Sequence, residues 1–397
     1  MNQLADRLSR ISEPQTIKMA KLSRELKAQG IDIVDLSIGE PDFDTPAHIR
    51  EAAKKAIDEG FTHYTPVAGI AELKQAVVHK FKRDNGLDYT PEQIVVSTGA
   101  KQCLANAVLS IVNPGDEVII PTPYWVTYSE QVSLCQGEVV FVPCSIENNY
   151  KITPAQLEAA ITPKTRLFMF SSPCNPTGSV YSKAELEGLA AVFAKHPQIF
   201  IISDEIYEYI NYVGKHESIA QFGDLINRTI IINGLSKGFA MTGWRLGFMA
   251  APLDIAKACD KIQSQFTSAT CSITQRAAVT ALTGDLSTAE AMVAEFKKRR
   301  AFMHEALKSI PGLKVNDPEG AFYMFPDVSA YFNKSFEDSH IKGADDLCMY
   351  LLHKANVSAV TGVAFQQPNC IRLSYATSMD KLEKGVERMK TWLAKLA

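Results

Sequence analysis

Between residues 94 and 250 the chain repeats one pattern. A short run stays apolar or β-branched on successive positions, and a longer stretch with helical spacing follows. The runs fall at 94–96, 117–120, 139–142, 166–170, 199–202, 229–232 and 246–250. A strand with one wet face alternates between apolar and polar residues, whereas a strand apolar at every position is covered on both faces. Seven such runs separated by helices predict an α/β architecture with a mostly parallel seven-stranded sheet between helices. Sheets of this kind bind ligands beyond the carboxyl ends of their strands, which is where this chain keeps its unusual residues.

The flanks read differently. The first forty residues combine a helical stretch with an extended piece at 33–38, which ends in the turn-rich segment Gly39-Glu40-Pro41-Asp42-Phe43-Asp44-Thr45-Pro46. Amphipathic helical patterns follow near 47–59 and 69–84, separated by His63-Tyr64-Thr65-Pro66. Beyond the sheet region come a long amphipathic helix at about 285–309, a strand pair around 313–325 and a helix near 344–355. A strand ending in Ile371-Arg372-Leu373-Ser374 and a terminal helix close the chain. This tail is too short to be rich in strand–helix–strand units and predicts a smaller α+β domain. At 397 residues the chain exceeds what one core usually serves. The expected division is a large domain over 46–290 and a small one built from 1–45 with 291–397.

Composition narrows the functions. Apolar residues make up 46%, charged residues 21%, and the net charge is only −3, so neither nucleic acid nor an anionic membrane is expected as a partner. The start lacks the apolar core of a signal peptide and no apolar segment has membrane length, which predicts a cytoplasmic protein. Eight cysteines are scattered singly and eight histidines show no helical pairing, so no metal site is expected.

Four strand ends carry candidate chemistry. After the first run, Ser97-Thr98-Gly99-Ala100-Lys101 turns into a helix, whose free N–H groups and positive dipole suit a phosphate, although many such turns hold nothing. After the fourth, Asn175 sits in a loop stiffened by two prolines, where it either faces a crevice or caps the helix beginning near Ser182. After the fifth, Asp204 ends a buried strand, a costly place for a carboxylate unless a cation or a proton-bearing base meets it. It either pairs with a pyridinium nitrogen or serves as a helix cap or structural ion pair. After the sixth, Lys237 lies in a Gly- and Ser-rich loop. A partly desolvated amine there has a lowered pKa and attacks an aldehyde, with Ser236 and Arg245 at hand for a phosphate.

These pieces occur in a familiar order: Gly39-Glu40-Pro41-Asp42-Phe43, Tyr64, the 97–101 turn, Pro123-Tyr124-Trp125, Asn175-Pro176-Thr177-Gly178, Asp204-Glu205-Ile206-Tyr207, Ser236-Lys237 with Arg245, and Arg372-Leu373-Ser374. Over essentially its whole length the chain resembles the class I aminotransferases of the fold-type I pyridoxal-phosphate family. It looks most like the thermophile-like subgroup of bacterial aspartate aminotransferases.

The resemblance implies pyridoxal 5′-phosphate bound to Lys237 as a Schiff base, with Lys237 later carrying the substrate proton. It implies that Asp204 holds the pyridine nitrogen, that Asn175 and Tyr207 bond the ring's 3′-oxygen, and that Trp125 stacks on the ring and borders the substrate. Gly99, Ala100, Lys101, Ser236 and Arg245 would hold the phosphate. Tyr64 would reach the phosphate of a neighbouring subunit, which implies a homodimer with shared sites. Arg372 would grip the substrate α-carboxylate, helped by Asn175 and the backbone of Gly39. In that subgroup a lysine of the phosphate turn and a Ser/Thr pair grip the distal carboxylate. Lys101 and Thr16 match, but Pro14 stands where the serine belongs. The implied reaction moves the amino group of L-aspartate to 2-oxoglutarate by a ping-pong route. Alternatives on the same scaffold are transamination of prephenate, aromatic amino acids or alanine, or a lyase or synthase reaction.

Overall fold

The computed structural model describes residues 4–397. An N-terminal helix, α1 (Gln15–Ala28), leads through the short strand β1 (Val34–Asp35) to α2 (Ala47–Asp58) and α3 (Ala71–Lys80). Then come β2 (Ile94–Ser97), α4 (Ala100–Ile111), β3 (Glu117–Thr122), α5 (Thr127–Leu134) and β4 (Glu138–Pro143). The helix α6 (Pro154–Ala160) precedes β5 (Thr165–Ser171), and α7 (Lys183–Phe193) precedes β6 (Phe200–Asp204), β7 (Thr229–Gly234) and β8 (Gly247–Ala250).

Strands β2 to β8 form one seven-stranded sheet in the order β2-β8-β7-β6-β5-β3-β4. Only β8 runs against its neighbours, pairing antiparallel with both β2 and β7. All seven expected runs are strands of this sheet. Their unbroken apolar character has the expected cause. Along β5, Phe168 and Phe170 pack against α6 and α7, whereas Leu167 and Met169 point into the layer under α4 and α5. Each fully buried Leu, Ile or Phe contributes roughly 1.5–3 kcal/mol, so both faces drive the layering.

Helices α8 (Leu253–Phe266), α9 (Ser272–Thr283) and the long α10 (Ser287–Lys308) carry the chain to a second core. There β9 (Tyr323–Met324), the hairpin β10 (Ser335–Phe336) and β11 (Ser339–His340), α11 (Ala344–Lys354), β12 (Val357–Ser358), β13 (Val360–Thr361), β14 (Ile371–Ser374) and α12 (Met379–Leu393) assemble. The N-terminal segment joins this core: β1 pairs parallel with β12, and Val34 and Leu36 pack with Leu347, Leu373 and Leu382. Helix α10 serves both cores, Ala289 and Met292 facing the sheet layers and Phe296, Met303 and Leu307 the other.

Two expectations are corrected. The strand pair around 313–325 reduces to β9 and an isolated bridge between Lys314 and Asp327. The intervening chain instead folds over the Asn175 loop, where the amides of Glu319 and Gly320 both donate to the carbonyl of Gly178. The helix expected to reach residue 84 stops at Lys80. A wider π-type turn, Phe81–Asn85, follows and ends at Gly86 with φ +71°.

Candidate active site

A cavity of about 550 Å³ opens beyond the carboxyl ends of the central strands, where the two cores meet. Asp204 ends β6, Ser171 ends β5, and Ser236 and Lys237 follow β7, so the parallel sheet delivers all four to one wall. The opposite wall brings Ser37 to Glu40, Tyr323 and Arg372 from the second core.

Lys237 is half-buried against this wall and donates to the carbonyl of Gly39 at 2.6 Å. Burial lowers its pKa to about 8; Glu40 opposes the shift, and Arg372 and Arg245 add to it. A substantial neutral fraction near pH 8 makes it a nucleophile and a base. Asp204, 4% exposed, accepts from the Tyr128 hydroxyl at 2.6 Å and from the Ile206 amide at 3.3 Å. Burial pushes its pKa up to about 6, and the Tyr128 bond pulls it back down. Such a carboxylate suits a cationic ring N–H that would share its charge. Tyr207 meets Tyr323 hydroxyl to hydroxyl at 2.7 Å, and burial keeps both phenols protonated.

The turn from β2 into α4 is shaped by glycine. Gly99 has φ +84°, and a side chain there would begin 2.5 Å from a guanidinium nitrogen of Arg245. A Cβ on Gly247 would lie 2.2 Å from the Ala100 nitrogen. The missing side chains let the Arg245 guanidinium lie against the amino end of α4. Arg245 itself is held at φ +54°, an uncommon conformation that a functional site tolerates. Lys101 follows in the turn, its ammonium 5.0 Å from the Trp125 ring centre. Burial and the nearby Arg245 lower its pKa.

Arg372, 3% exposed, donates to Asn175 Oδ1 at 3.0 Å and to the Ser37 carbonyl at 2.8 Å, and its Nε has no protein partner. Three of its five N–H donors therefore remain for a planar acid. Among the described residues, Lys101, Lys237, Arg245 and Arg372 each lie more than 4.0 Å from any carboxylate. Four unpaired cations around one cavity make a site for several anionic groups. A helix amino end with Arg245 and Ser236 fits a phosphate, and Arg372 fits a carboxylate.

Thr16, half-buried in the first turn of α1, and Pro14 before it line the rim. Ala100, Trp125, Asn175 and Tyr207 also lie on the wall. Gly99 lies beneath it, under Arg245. Tyr64 stands apart, 98% exposed and outside this cavity. Sequence reasoning missed Tyr128, Tyr323, Ser37 and Glu40. Tyr128 had a signal, since it lies three residues beyond Trp125 and so shares its side of the chain; the two rings meet edge to face at 5.7 Å. Tyr323 sits in an apolar run and looks like core. Among the described residues no cluster of metal-binding side chains occurs, and no helix is long and apolar enough to cross a membrane.

The sheet, the half-buried lysine beyond its carboxyl edge and the ring of unpaired cations define an α/β protein with a site for anionic ligands. The chain belongs to the family of class I and II aminotransferases, whose model matches residues 31–389. The bifunctional aspartate aminotransferase and glutamate/aspartate-prephenate aminotransferase of Petunia hybrida is 46% identical over 392 residues, 98% of this chain and 82% of that protein. The crystal structure of an aspartate aminotransferase from Rhizobium meliloti superposes with a TM-score of 0.97 at 41% identity, covering 100% of both chains. That of Thermus thermophilus aspartate aminotransferase with maleate gives 0.92 at 39%, covering 99% of this chain and 100% of that one.

Proposed function

We propose that this aminotransferase uses pyridoxal 5′-phosphate to move the amino group of L-aspartate to 2-oxoglutarate, one product leaving before the second substrate enters. The reading rests on one observation: a half-buried amine of lowered pKa and a buried carboxylate of raised pKa share a cavity with three further unpaired cations. The residues present fit the cofactor, because glycines clear the amino end of α4 and Arg245 crosses it without a carboxylate partner. When bound, it supplies an aldehyde for Lys237 and a ring that absorbs electrons from the substrate α-carbon.

The chain's own residues do the rest. Asp204, braced by Tyr128, would hold a proton on the ring nitrogen, and Ser236, Arg245 and the α4 amides would hold the phosphate. Trp125 would cover the ring face, and Tyr207 and Asn175 would address its 3′-oxygen. Lys237, released by the substrate amine, would take the α-proton at Nζ and hold it for return. Arg372 orients the α-carboxylate, with Asn175 and the Gly39 backbone beside it. Lys101 and Thr16 receive the distal carboxylate. The names of the relatives support a dicarboxylate substrate: aspartate in all three, and maleate with the Thermus protein.

We further read the chain as two domains, 46–290 and 1–45 with 291–397, since Val34 and Leu36 share a core with residues beyond 295. A homodimer would give the exposed Tyr64 a second subunit's phosphate to reach. Eight unpaired thiols suit a reducing cytoplasm. The test is a half-reaction followed by absorbance. L-Aspartate alone should convert the bound cofactor to its amine form, and 2-oxoglutarate should restore it. Turnover that leaves the cofactor in its starting form would indicate a lyase or synthase instead.

A further inference from the structure

Directly behind the cavity wall lies the densest buried charge outside the site. Where β6 ends and the chain runs on, Asp204 and Tyr207 face the cavity, whereas Glu205 and Glu208 turn away into the interior, 0% and 6% exposed. Lys80, 0% exposed at the end of α3, donates to Glu208 and, at 2.9 Å, to Asn85 Oδ1. Asn85 returns a bond from Nδ2 to the other oxygen of Glu208 at 2.9 Å. A third donor, Asn233 Nδ2, reaches Glu208 Oε2 at 2.5 Å, and Asn233 Oδ1 accepts the Gly234 amide at 2.7 Å. The π-type turn after α3 is what brings Asn85 beside Lys80.

Asn233 lies four residues before Lys237. On the far side of Lys237, a Cβ on Gly238 would fall 2.8 Å from the Cβ of Tyr209, and Phe239 meets the Tyr209 ring edge to face at 5.2 Å. The dipeptide Glu208-Tyr209 thus grips the lysine loop before and behind its reactive residue. The same stretch of chain carries Asp204 and Tyr207 on its other side. We propose that Glu208, with Lys80 as its buried counter-ion, is a positioning residue that locks the Lys237 loop to the Asp204–Tyr207 segment through Asn233. A buried ion pair is a weak source of stability compared with apolar packing, so its value here is geometric. Misplacing a reacting group by about 1 Å costs on the order of a hundredfold in rate.

The inference rests on Lys237 being the cofactor lysine. Its test is Asn233→Ala in the cofactor-loaded protein, which opens the tether but leaves Lys80, Asn85 and Glu208 joined. The kcat with L-aspartate should fall roughly ten- to a hundredfold, with KM changed less than about twofold because Arg372 is untouched. The pH at which the bound cofactor's absorbance titrates should also move, and so should the pH profile of Lys237 labelling by an amine reagent in cofactor-free protein. Glu208→Gln, which withdraws one acceptor, should move the same two midpoints and serves if Asn233→Ala does not fold. Parent kcat and parent midpoints in a folded variant, with only a lower Tm, would overturn the positioning role. Covalent cofactor persisting in Lys237→Ala would instead overturn the reading of Lys237 itself, so the two failures are distinguishable.

Discussion

Replacing Asp204 by asparagine should make the cofactor-free protein more stable and the enzyme worse. The carboxylate is 4% exposed and its pKa is raised from 3.8 to about 6, chiefly by burial. At about 1.4 kcal/mol per pH unit, that rise means ionised Asp204 costs the folded state about 3 kcal/mol. A carboxyl whose folded pKa is raised contributes stability that is fully present below its unfolded pKa and is lost as pH rises through the folded value. The window here runs from 3.8 to about 6, so the whole cost is present at pH 8 and roughly half of it is relieved at pH 5. The substituted amide is uncharged, can accept from the Ile206 N–H, and can donate to Tyr128 once that hydroxyl turns. Lys237 loses a weak attraction, which offsets part of the gain. The net expectation for Asp204→Asn is about 1–3 kcal/mol of added stability at pH 8, shrinking toward pH 5. Urea unfolding of cofactor-free protein at both pH values measures it, with cofactor affinity and turnover measured in parallel. A variant less stable than the parent at pH 8, or a difference that ignores pH, would refute the assignment of Asp204 as a strained, ligand-awaiting carboxylate.

Further outcomes follow from the same geometry. Tyr128→Phe removes the hydroxyl bond to Asp204 at 2.6 Å, and a charged hydrogen bond of about 1.5–3 kcal/mol predicts a ten- to hundredfold loss of cofactor affinity by equilibrium titration. Arg372→Ala should raise KM for every amino acid, whereas Lys101→Ala should lower kcat/KM about ten- to hundredfold for aspartate but little for alanine or phenylalanine. Because Pro14 has no donor, the parent should accept phenylalanine weakly; equal losses on all three substrates would restrict Lys101 to the phosphate turn. Mixing a Tyr64→Phe protein with a Lys237→Ala protein should restore activity through hybrid dimers, and a sedimenting monomer at micromolar concentration would count against shared sites.

The sheet was legible because its strands are apolar on both faces, so runs such as 166–170 stand out without any periodicity. The site was legible where a residue breaks the rules of its surroundings. Lys237 in a Gly- and Ser-rich loop, Asp204 at the end of a buried strand and Arg372 inside an apolar one each need an explanation that packing does not supply. Tyr128 and Tyr323 break no rule, since a tyrosine among apolar residues is ordinary core until its hydroxyl partner is known. Lys80 looks like the solvated end of an amphipathic helix, and its partner Glu208 lies 128 residues away. The pairing that buries it is a property of the tertiary fold. The stretch at 313–325 misled for a related reason: its apolar residues fill the second core, and only Tyr323–Met324 pairs as a strand, with β14 instead of with a neighbour in the same stretch.

The central claim is that Lys237 is the amine through which this enzyme works. Protein loaded with pyridoxal 5′-phosphate, reduced with borohydride and digested, should yield one labelled peptide per chain. Its label should sit on Lys237, and prior treatment with L-aspartate should prevent the labelling. A label on any other lysine, or protein that takes up none, would contradict the account.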